Sequence, residues 1–133
     1  MSRERTTLCY GIAVATGVLA WVGPLLIAGI AGGELGRTIR REAWDLDLWW
    51  TTGLPLGWLV AGVLGWLRPV RIWRWPLTII GTQFVCAFVL SRSGLSLLPF
   101  AVVFMLVLTL PGLLAAWLGR TLRRFCRTMA ETR

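Results

Sequence analysis

The sequence predicts an all-α integral membrane protein with four transmembrane helices, and three observations carry that prediction. First, 56% of the 133 residues are hydrophobic, mean hydropathy is +0.70, and only 15% are charged, against about 25% in soluble domains. Second, the charges are segregated, leaving uncharged runs at Thr6–Gly33, Leu48–Leu67, Trp75–Ser91 and Ser93–Gly119. Each run reaches the roughly 17–25 apolar residues that a helix needs to cross a hydrocarbon core. Third, Gly53, Gly57, Ala61 and Gly65 place a small residue at every fourth position of the second run. That spacing gives one helix side on which a neighbouring backbone can approach closely, a main source of helix association in lipid. Residues 1–133 read as one membrane domain.

The first span is expected at Leu8–Ala31, after the charged stub MSRERTT. Its apolar run exceeds twenty residues, whereas the apolar core of a signal peptide is about 7–15. A retained helix is therefore expected, although Gly29-x-Ala31 resembles a cleavage site. Pro24 predicts a kink, and Ala20, Pro24, Ala28 and Gly32 form a second, less regular small-residue face.

Between the first two spans, Leu35, Ile39, Ala43, Leu46 and Trp50 fall within about 80° of one another on a helical wheel. Glu34, Arg37, Arg41 and Asp45 lie opposite. This is an interfacial amphipathic segment, with Trp44, Trp49 and Trp50 at head-group depth. Arg41 and Asp45 stand at i,i+4 and pair, so the acidic loop reads as a solvated face rather than a cation site.

The second span, Leu48–Leu67, carries Pro55 near its start. Proline removes the amide that would bond the Thr51 carbonyl, and the Thr51 and Thr52 hydroxyls are placed to help satisfy the freed backbone. Gly53, Gly57, Ala61 and Gly65, joined by Gly62, form the protein-facing side, and Leu56, Leu59, Val60, Val63, Trp66 and Leu67 the lipid-facing side. The i,i+4 drift favours a right-handed crossing near about −40°. A basic turn with Arg68, Arg71 and Arg74 follows.

The third span, Trp75–Ser91, is about 25 Å long at 1.5 Å per residue. It holds the most polar intramembrane position, Gln83, with Thr82 beside it and Thr78 one turn back. These three are the candidates for an interhelical hydrogen bond or a polar cavity. The fourth span, Ser96–Gly119, is expected to bend near Pro111-Gly112. In the tail, 120–133, Leu118, Leu122, Phe125 and Met129 fall in a stripe about 60° wide, with Arg120, Arg123, Arg124 and Arg127 opposite. A basic amphipathic helix bound to anionic lipid head groups is expected.

All 14 basic residues are Arg, and ten of them fall in the N-terminal stub, the second loop and the tail. The positive-inside rule then puts both termini in the cytoplasm of a multi-pass inner (plasma) membrane protein. No soluble fold remains to carry nucleic-acid binding despite the net charge of +8. The chain has no His, and its three cysteines form no ligand pattern, so no metal or cofactor is expected. Without a charged group near mid-span or a Ser–His or Cys–His pair, no catalytic residue is expected either. Trp21 and Trp58 fall near mid-span, where they serve packing or form an aromatic wall.

The four-helix layout over little more than a hundred residues resembles the small multidrug transporters. In that family the function depends on a membrane-embedded Glu in the first helix, and Leu8–Ala31 contains no carboxylate. The resemblance therefore extends to layout. The expected role is a non-catalytic subunit or accessory factor that packs against other membrane proteins or a second copy of itself. The alternative is a small oligomeric transporter or channel for an apolar or uncharged solute.

Overall fold

The computed structural model of the chain describes residues 2–33, 43, 46–91 and 98–131, and those residues are helical apart from short turns. Helix α1 spans Ser2–Ala31. A π-helical turn, Trp49–Gly53, leads into α2, Leu54–Leu67. Helix α3 spans Arg74–Ser91 and α4 spans Leu98–Glu131. Three stretches, Glu4–Ala31, Trp49–Leu67 and Pro99–Ala130, are long and apolar enough to cross a membrane. The apolar part of α3, Arg74–Leu90, is shorter, at about 25 Å. Most of the expected interfacial segment, including Trp44 and Asp45, lies outside the described residues, as does Arg92.

Two boundaries differ from the sequence expectation. The N-terminal stub is part of α1, with Glu4 in the first turn, where a carboxylate interacts favourably with the positive end of the helix dipole. The tail continues α4 without a break at Gly119, so it is collinear with the fourth helix instead of forming a separate element across its end. Gly119 does not terminate the helix because its missing side chain is used laterally. A Cβ there would overlap the Gly62 carbonyl on α2 and stand 3.1 Å from the Trp66 nitrogen.

The main pairings are α2 with α4 and α1 with α3, with smaller contacts joining the pairs. Backbones touch at glycines. A Cβ on Gly65 would come 2.8 Å from Ala116 Cα on α4, and one on Gly17 would come 2.6 Å from the Ile79 carbonyl oxygen on α3. Large apolar side chains lie mostly outside: Leu59 is 68% exposed and Ile30 74%, while Ala13, Ala61 and Ala116 are fully buried. Leu56, Val63, Trp66 and Leu67 are also exposed. Soluble bundles place large apolar residues inside and polar ones outside.

Both internal prolines are accommodated within continuous helix. Pro24 deprives the Ala20 carbonyl of its usual amide donor. Gly53 packs there, so that an added Cβ would stand 2.5 Å from Ala20 O and 3.4 Å from Pro24 Cγ. Beside Pro111, Gly112 meets Pro76 of α3 and Trp58 of α2. The Trp58 indole N–H donates to the Leu108 carbonyl at 3.2 Å.

Candidate functional site

Gln83 has the most polar side chain of α3 after Arg74 at its start and is 2% exposed. An amide at that depth needs partners, because leaving its donors or acceptor unmade costs about 1–3 kcal/mol. Its Oε1 accepts a hydrogen bond from Trp49 Nε1 at 3.2 Å. Its Nε2 has no hydrogen-bond partner among the described residues. That nitrogen is turned towards Gly57, where an added Cβ would stand 3.5 Å from it and 3.1 Å from Ile79 Cγ2. Gly57 thus makes room for the amide as well as for a helix contact.

Trp49 reaches the interior through the π-helical turn. The Leu54 N–H donates to the Trp49 carbonyl, five residues back, which adds a residue to that turn and rotates the preceding side chains. Pro55, at the start of α2, has no N–H with which to enforce the tighter pattern. The Thr51 hydroxyl does not serve the carbonyl freed by Pro55; it donates to Asp47 O at 2.9 Å.

Around this hydrogen bond the rings stack edge to face. Trp21 meets Trp49 at 5.9 Å and 74°, Trp50 meets Trp49 at 4.8 Å and 79°, and Phe104 meets Trp50 at 6.3 Å and 72°. These are favoured aromatic geometries. Trp21, Trp49, Ile80, Gln83, Phe104 and Met105 line a cavity of about 20 Å³, room for roughly one water molecule. Ala43 and Leu46 pack into the same cluster.

At the other end of the bundle Tyr10 packs on Trp75 at 5.2 Å and accepts a hydrogen bond from Arg74 at 3.3 Å. The Trp75 indole N–H donates to the Arg68 carbonyl at 3.2 Å. Trp49 and Trp75 are thus both buried in the protein, and each indole N–H has a protein acceptor.

The other sequence candidates separate. Thr78 and Thr82 do not join Gln83 in a polar cavity: their hydroxyls donate to Arg74 O and Thr78 O, at 2.8 and 2.7 Å. Thr16 likewise donates to Ile12 O. The Thr82 side chain packs where Gly17 lets α1 approach. Gly53, Gly57, Ala61 and Gly65 are all buried but face different neighbours. Gly53 meets α1, Gly57 meets α3 and Gly65 meets α4, while Ala61 packs with Cys9, Ala13, Ile79 and Trp75. A stripe read as one contact face winds through three contacts.

In the tail, Arg123 is held by protein: its guanidinium donates to Trp66 O and Leu67 O at 2.9 and 2.8 Å, capping the C-terminal carbonyls of α2. Arg124 and Arg127 are exposed and Arg120 is half-buried. Cys9, Cys86 and Cys126 are unpaired.

The chain matches no protein-family model, no curated protein and no solved structure. Its site has to be judged by its own chemistry. Among the described residues the interior offers the Gln83 amide, the Trp21 indole, indole donors paired at Trp49, Trp58 and Trp75, the Thr16 and Thr109 hydroxyls bonded to their own helices, and backbone carbonyls. No cluster of three metal-ligating side chains occurs among the described residues. Gly17 and Gly119 are contributors that sequence reasoning did not single out, while it placed Trp49 at the interface, Gly62 on the packing side and Gly112 at a bend. A signal for Trp49 existed, since a buried Gln needs a donor of matching depth. Gly17 and Gly119 carried none.

Proposed function

We propose that the chain is a multi-pass inner-membrane protein that serves as a non-catalytic subunit or accessory factor, acting through helix packing. The observation that carries this reading is how the bundle is closed. Backbone contacts at Gly17, Gly53, Gly65 and Gly119 seal helix pairs against each other, and the cavity between the rings has room for about one water. Such close backbone contacts suit a packed scaffold better than a passage for a solute. The large apolar side chains on its outside are what a lipid or a partner helix would cover.

In this reading α3 is a fourth crossing, with Arg74 snorkelling at its short end. The end bearing Arg68, Arg71, Arg74 and the tail arginines is cytoplasmic, and Arg124 and Arg127 meet anionic head groups. The test is affinity isolation from membranes in mild detergent. A stoichiometric unlike membrane protein is expected to accompany the chain, and its absence would overturn the accessory role. Solute flux in liposomes that falls in Gln83→Leu and Trp58→Ala would instead favour a transporter.

A further inference from the structure

We infer that two copies of this chain pair in parallel along the C-terminal half of α4. The inference rests on the membrane reading above, but not on an unlike partner. Helix α4 has 34 residues and is about 51 Å long at 1.5 Å per residue, well beyond a ~30 Å hydrocarbon core. Its exposed apolar stripe does not stop where the arginines begin. Leu118, Leu122, Phe125 and Met129 are each more than half exposed; the first two lie level with the last turns of α2, and Phe125 and Met129 lie beyond the Arg123 cap on its end.

Their steps are four, three and four residues, the a/d spacing that keeps one helix seam facing another. The same steps occur upstream at Val103, Val107, Leu110 and Leu114, all exposed. With Leu122 and Met129 as a positions and Leu118 and Phe125 as d, the flanking e and g positions are Gly119, Thr121, Cys126 and Thr128. None is charged. The Thr121 and Thr128 hydroxyls donate to their own helix, at Trp117 O and Arg124 O. Arg120, Arg123, Arg124 and Arg127 all take b, c or f positions. A helix this basic meets an identical copy without like charges across the seam only in such a register, since e and g residues set partner choice.

The membrane surface is the other apolar cover for this stripe, but the tail is not free to fold onto it. Arg123 ties it to the end of α2, and Gly119 locks it against Gly62. It continues straight past the end of α2, and a second helix in the same orientation covers the whole stripe.

The test is oxidative cross-linking in native membranes. Single cysteines are placed at Leu122→Cys, Phe125→Cys or Arg124→Cys in a background of Cys9→Ala, Cys86→Ala and Cys126→Ala. Disulfide-linked dimer is expected at 122 and 125, at least five-fold above 124; equal yields, or none at 122 and 125, would overturn the pairing. Independently, the unmodified chain is expected to run as a dimer in mild detergent and Phe125→Arg as a monomer of unchanged helicity. An unmodified chain that is monomeric and whose tail is shielded by anionic vesicles would overturn the inference. Seam cross-links without an unlike partner would uphold this pairing and reject the accessory role. An unlike partner without seam cross-links would do the reverse.

Discussion

Replacing Gly65 with Ala adds one methyl group where the backbones of α2 and α4 meet. The new Cβ would stand 2.8 Å from Ala116 Cα and 2.9 Å from its carbonyl carbon, about 1 Å inside the usual carbon–carbon separation. Both opposing atoms are backbone, so no rotamer change relieves the overlap and the helices must move apart. A gap of ~0.5–1 Å forfeits roughly a quarter to a half of the dispersion attraction along the seam. Overpacking of this kind costs about 1–3 kcal/mol. The substitution also removes the helix-propensity penalty of Gly, about 1 kcal/mol, which would blur the result if read alone. Gly11→Ala supplies the reference, since nothing lies within 4 Å of its added Cβ. The propensity gain is common to both variants, so their difference isolates the overlap. Gly65→Ala is expected to be less stable than Gly11→Ala by about 1–3 kcal/mol. The assay is reversible unfolding in mixed micelles, followed by helix circular dichroism and Trp fluorescence. Equal shifts for the two variants would refute backbone contact at this seam.

Other expectations use the same measurement or simple variants of it. Gly57→Leu and Ala61→Leu force bulk against Ile79 and into a fully buried position and are expected to abolish folding or assembly, while Val63→Leu, on the exposed side, changes stability by less than about 0.5 kcal/mol; equal tolerance at all three sites would refute the assignment of faces. In a double-mutant cycle, Trp49→Phe and Gln83→Leu are expected to couple by roughly 0.6–2 kcal/mol, and additive effects would mean that their hydrogen bond contributes nothing. Arg123→Ala frees the Trp66 and Leu67 carbonyls, so amide exchange in the last turn of α2 should speed up several-fold, with unchanged exchange counting against the cap.

How much was legible beforehand follows from which forces are local. Charge segregation marks where apolar helices lie, because an ionised side chain is expensive inside a hydrocarbon core. That reasoning placed apolar helices where α1, α2, α3 and the apolar part of α4 occur, although α1 begins at Ser2 and not at Leu8. It could not tell that the tail continues α4, since an amphipathic stripe looks the same on a collinear helix and on one lying flat. The contact between Gly119 and the Gly62 carbonyl and the Arg123 cap decide that, and both join residues more than fifty positions apart.

The same division applies to the candidate site. Gln83 was visible as a polar residue needing a partner, but Trp49 read as a belt residue because its depth depends on the π-helical turn. The chain by itself determined where small residues recur, since side-chain size and helical period are properties of the sequence. Only the tertiary structure decided whom those residues touch. Gly53, Gly57 and Gly65 serve α1, α3 and α4 in turn, because successive turns of α2 meet different neighbours, and which neighbour comes closest is settled by the packing of all four helices.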